Sequence, residues 1–160
     1  MKHKLEVSFN SPQCGWMSIG FDDGENEFHT TTAHTPHSRA LCEILACLSS
    51  LIEANGETEE FSVAWSRNPE AYNLFFTRAG EIVFFQVVEY PTHEHLSKEG
   101  EIVFSYHGNT KEFCGSFYET FAQLYEDRDT DEFEFNWRQP FPFAEFEKFK
   151  SKLNDARKYV

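Results

Sequence analysis

The densest group of reactive side chains lies between residues 126 and 134, where Glu126, Asp127, Asp129, Asp131, Glu132 and Glu134 crowd six carboxylates into one short run. Carboxylates at that density can coordinate a hard cation, perform acid–base work or attract a basic partner. The D-x-D-x-D spacing from Asp127 opens as a calcium loop does, but the match ends there. The sixth position needs glycine for its turn and holds Glu132, and the twelfth needs a bidentate Glu and holds Arg138. The run therefore reads either as a solvated acidic loop or, with Trp137 beside it as an aromatic anchor, as a docking patch for a basic protein.

The other candidates are sparser. His93 and His95 form an H-x-H pair that an extended backbone would point to one side, as two metal ligands require. A third ligand would have to come from Glu94, Glu99 or one of His29, His34, His37 and His107, and no spacing singles one out. Neither a metal nor any other cofactor is expected. The four cysteines, Cys14, Cys42, Cys47 and Cys114, contain no C-x-x-C pair, and Cys42 and Cys47 stand about 140° apart around a helix axis, so reduced thiols are expected. Cys114 sits on the same helix face as Phe113 and Phe117 and reads as buried. A nucleophile elbow and glycine-rich phosphate loops are both absent, so no catalytic residue is assigned. A second arrangement has chemical potential: Glu70 beside Trp65 and Tyr72 would make an aromatic-lined pocket with one carboxylate, as a small enzyme or ligand carrier needs.

Net charge narrows the partners. Twenty-seven acids against 14 bases leave −13, which repels a phosphate backbone and argues against nucleic-acid binding. No run of 18 uncharged apolar residues occurs, and the opening MKHKLEVSF has no apolar leader segment, so the expectation is a cytoplasmic protein with no membrane contact.

These side chains need a scaffold, and the hydrophobic periodicity supplies one. Lys4 to Phe9, Trp16 to Phe21 and Glu25 to Thr32 alternate as strands, with Asp23 and Gly24 turning the second into the third. Thr35 and Pro36 form an N-cap and first-turn pair for a helix over Pro36 to Ala54, with Leu41, Ile44, Leu45, Leu48, Leu51 and Ile52 at helical spacing. Strands follow at Phe61 to Trp65, Ala71 to Thr77, Glu81 to Tyr90 and Glu101 to His107. The third of these is apolar on both faces and calls for cover on both. A helix capped by Thr110 runs to about Asp127, and a last helix carries Phe146, Phe149 and Leu153 inward.

With 160 residues this is one α+β domain, residues 1–160, in the order three strands, helix, four strands, two helices. The expected architecture is a single antiparallel, twisted sheet of six or seven strands with the long helix packed on one face. The W-x-x-x-P-x-x-Y stretch from Trp65 to Tyr72 and the W-x-x-P-F-P stretch from Trp137 to Pro142 resemble a loosely defined group of small uncharacterised bacterial proteins of unknown function. The resemblance implies a bacterial, cytoplasmic, stand-alone domain and transfers no catalytic residues.

Three functions follow as expectations. The first is a non-enzymatic acidic domain of the immunity or antitoxin kind that docks a basic protein through the 126–134 run and Trp137. The second is the small enzyme or ligand-binding protein with the Trp65, Glu70 and Tyr72 pocket. The third is a homo-oligomer in which a second copy covers the exposed sheet face.

Overall fold

The computed structural model describes residues 4–33, 38–54, 58–65, 71–90 and 100–158. Its strands are β1 (Glu6–Phe9), β2 (Trp16–Asp22), β3 (Glu27–Ala33), β4 (Glu59–Ala64), β5 (Ala71–Ala79), β6 (Ile82–Tyr90) and β7 (Glu101–Asn109). Its helices are α1 (Ala40–Glu53), α2 (Thr110–Asp127), the short α3 (Phe133–Trp137) and α4 (Phe143–Lys158). The α+β class holds. No described helix is long and apolar enough to cross a membrane.

The single sheet does not hold. The strands form two antiparallel ladders, β1-β2-β3 and β4-β5-β6-β7. The period-two pattern specifies which face of a strand is buried but not which strands pair, and the chain leaves β3 for helix α1 before it returns as β4. β3 instead comes to lie against β7. Both sheets turn their apolar faces on helix α2, and one core unites them. Phe21 of β2 meets Phe85 of β6 at 4.9 Å and Phe104 of β7 at 5.7 Å between ring centroids, and Phe117 of α2 lies within 6.4 Å of both Phe21 and Phe85.

Two helix starts differ from expectation. Helix α1 begins at Ala40, with Arg39 in the cap position and no side-chain cap bond, while Thr35 and Pro36 lie outside the described residues. Helix α2 is capped by Asn109, whose side-chain oxygen accepts from the Lys111 and Glu112 amides. Thr110 is instead the first helical residue. Its hydroxyl and its amide both donate to the Glu81 carbonyl, which ties the helix start to the β5–β6 hairpin. The β2–β3 turn is as expected. Asp23 accepts from the Asn26 and Glu25 amides at 2.7 and 2.9 Å, which holds its carboxyl below the ordinary range, and Gly24 supplies the φ of 94° that the turn requires.

The thiols are free and unequal in environment. Cys14 is exposed, Cys42 half-buried, and Cys47 and Cys114 buried. Burial pushes the Cys47 thiol up to about 12 and the Cys114 thiol higher still, so neither ionises at neutral pH. A colorimetric disulfide reagent at pH 8 should therefore modify Cys14 rapidly and Cys42 slowly, and should reach Cys47 and Cys114 only after denaturant is added. Fast reaction of three or more thiols in the native protein would contradict this burial.

Candidate functional site

A cleft of about 760 Å³ lies between the three-stranded sheet and the acidic run. Its floor is Phe9, Ser18 and Thr31 from β1, β2 and β3, and one wall is Gln123, Leu124 and Asp127 from the end of α2. The opposite side is the β1–β2 connection with Asn10 to Gln13 and then Trp16, and Asp131 with Asn136 closes the rim.

Each wall has a reason to be where it is. Strand β1 is held against α2 because the Phe9 amide donates to the Thr120 hydroxyl at 2.9 Å, and Lys4 pairs with Glu119 at 3.0 Å. Asn136 then acts as a clamp between two distant segments. Its side-chain amide donates to the Asp131 and Glu132 carbonyls, its side-chain oxygen accepts from the Cys14 amide, and its main-chain carbonyl accepts from the Gly15 amide at 2.7 Å. Ser11 completes the connection by donating to the Asp131 carboxylate at 2.6 Å. On the α2 side the Gln123 amide donates to Asp127 at 2.8 Å.

The clamp holds strained backbone. Cys14 and Glu132 adopt left-handed φ values of 51° and 52°, where a non-glycine residue costs about 1–2 kcal/mol. Both are hydrogen-bonded to the Asn136 side chain. Charge is also placed against the local field, because Glu126 and Asp127 stand in the last turn of α2 with no base in that turn, where the helix dipole favours cations. Arg128, next in the chain, commits its guanidinium to the Tyr125 carbonyl at 2.6 Å and to the face of the Tyr125 ring at 3.8 Å.

The acidic run is thus divided by the fold. Asp127 and Asp131 line the main cleft. Asp129 and Glu134 line a second groove of about 330 Å³ with Tyr125, Arg128, Phe141 and Phe143. Glu126 and Glu132 are exposed at its flanks. Trp137 is not an anchor for a partner. It is 2% exposed, and its indole nitrogen donates to the Ser38 carbonyl at 3.2 Å, so it belongs to the core. The aromatic side chains that do reach solvent here are Phe135 at 79%, Phe143 at 49% and Trp16 at 46%. From sequence, Trp16, Trp65 and Trp137 could each anchor a partner, and of the three Trp16 reaches solvent while Phe135 had no signal. Nothing in the sequence places residues 16 and 131 on one rim.

Two of the three residues of the alternative pocket are described, and both are buried. Trp65 is fully buried and packs edge-on against Phe9 at 5.5 Å, and Tyr72 is buried against Phe28 at 5.4 Å. Neither lines the clefts described here. Glu70, His93 and His95 lie outside the described residues, as do His34, His37, Glu94 and Glu99. Among the described residues, no three His, Cys, Asp or Glu side chains are grouped to hold a metal ion. No family model, no curated protein and no solved structure matches this chain.

Proposed function

We propose that the protein is a non-enzymatic acidic binding domain whose cleft receives a lysine or arginine side chain of a basic protein partner. The observation that carries this reading is the convergence of Asp127, Asp131 and the exposed Trp16 on one cleft. Two carboxylates and an indole face are the groups that hold a cation by charge and by cation–π attraction together. Glu126 and Asp127 at the end of α2, where the helix dipole disfavours negative charge, are groups that a cationic ligand would stabilise. The net charge of −13 would speed the encounter.

Trp16 makes the reading testable without a known partner, because the other two tryptophans are buried and quenching therefore reports on the cleft. An octa-lysine peptide should quench this fluorescence at 20 mM salt, and the binding should weaken steeply by 300 mM. Replacing Asp127 and Asp131 together with Asn should weaken it at least tenfold. The control pair Glu145→Gln and Glu147→Gln on α4 should leave it within about twofold, since surface charges distant from the site contribute little. Equal binding by the two double variants would mean that the acidic run is only a solvated surface.

A further inference from the structure

The outer face of the four-stranded sheet lies away from the cleft and is independent of the reading above. Alternation along the strands turns Val83, Phe85 and Val87 of β6 into the core and Ile82, Phe84, Gln86 and Val88 outward. On that outer face Phe84 is 48% exposed, Ile102 54% and Ile82 38%, and no described helix or strand covers them. A shallow groove of about 580 Å³ runs across the face past Phe75, Phe84, Val88, Tyr90 and Ile102. A central strand that is apolar on both faces is the pattern of a strand buried on both, and here no described element covers one side.

We infer that a second copy of this chain supplies the cover, through a two-fold, face-to-face packing of the two four-stranded sheets. Charge selects that occupant. The chain carries −13, and like copies repel over most of their surface. Glu60 is the only acid among the described residues lining this groove, so of the described surface this face is where two acidic molecules meet with little like charge. A basic partner would find a single carboxylate among the described residues there and gains more from the acidic cleft. Polar side chains interleave with the apolar ones, with Thr77 paired across to Phe84 and Gln86 to Ser105, and a two-fold contact can satisfy these from their own copies.

Area sets the strength. Four strands about 4.8 Å apart and six to nine residues long present on the order of 500 Å² of projected face. That is below the ~800 Å² per partner of a standard interface, so the dimer is a weak one with micromolar dissociation.

Sedimentation equilibrium of the full chain from about 1 to 500 µM tests this. The expected result is a shift from 18.7 kDa toward twice that mass. The shift should strengthen between 20 and 300 mM salt as repulsion is screened, opposite to the response of the cleft. Phe84→Gln and, separately, Ile102→Gln should each weaken association at least tenfold while leaving the circular dichroism spectrum and peptide quenching of Trp16 unchanged. A monomer at every concentration and salt would overturn the inference. So would a dimer indifferent to both substitutions, or a monomer that instead binds phosphatidylcholine vesicles through these residues.

Discussion

Phe117→Ala should destabilise the protein by about 3–5 kcal/mol, the range for truncating a fully buried aromatic. Phe117 is fully buried on helix α2, at the point where both sheets and the helix meet. Its ring centroid lies 5.1 Å from Phe113, 5.9 Å from Phe21, 6.0 Å from Phe121, 6.3 Å from Phe76 and from Phe85, and 6.4 Å from Phe9. Removing it leaves a cavity bordered by rings from β1, β2, β5 and β6, and those rings are fixed by separate ladders that cannot all collapse inward together. Phe135→Ala is the matched control, because that ring is 79% exposed and its loss should cost less than about 0.5 kcal/mol. Urea unfolding of the two variants measures the difference. Similar midpoints would mean that Phe117 is not the junction of the core.

The Phe117 environment also shows what was legible in the sequence. Helix α2 could be read because Phe113, Phe117, Phe121 and Leu124 recur at helical spacing, and all four are buried. The seven strands could be read because alternation persists over each of them, and the double-faced apolar character of β6 even announced the uncovered sheet face. Pairing between strands could not be read. A run such as Glu27–Ala33 has the same period whether its neighbour is β4 or β7, and the choice is made by where the Phe21, Phe85 and Phe117 rings pack.

The cleft was half legible for the same reason. Asp127 and Asp131 stood out as a charge run, but their companions Ser11 and Trp16 are more than 100 residues away in sequence and are brought over by the Asn136 clamp. The reversal between Trp137 and Phe135 has a local cause. Phe133 and Trp137 stand four apart on short helix α3 and share its buried face, Phe135 lies between them on the exposed one, and left-handed Glu132 and Arg138 bound the helix. Neither residue type announces that conformation.

Arg78 is the residue whose importance the sequence hid most completely, since an arginine just before Ala79 and Gly80 reads as a solvated turn residue. In the fold its guanidinium is largely buried and reaches the carboxyl end of helix α1. One terminal nitrogen donates to the Leu51 and Ile52 carbonyls at 2.9 and 2.8 Å, and Nε donates to the Gly80 carbonyl at 2.8 Å. A helix end presents carbonyls with no intrahelical partner, and α1 has no base in its last turn, so Arg78 of strand β5 both satisfies those oxygens and places a positive charge at the negative pole of the helix. Arg78→Met keeps the stem and removes the donors. It should cost about 2–4 kcal/mol, because the carbonyls stay buried without partners. Arg78→Lys should recover only part of this, since an ammonium cannot reproduce the planar fork. The neighbouring Glu81 lies 3.8 Å from the guanidinium and is largely exposed, and Glu81→Gln should change stability by less than about 0.5 kcal/mol. Urea midpoints of the wild type and these three variants measure the costs. A cost for Glu81→Gln equal to that for Arg78→Met would move the interaction from the helix end to the surface ion pair.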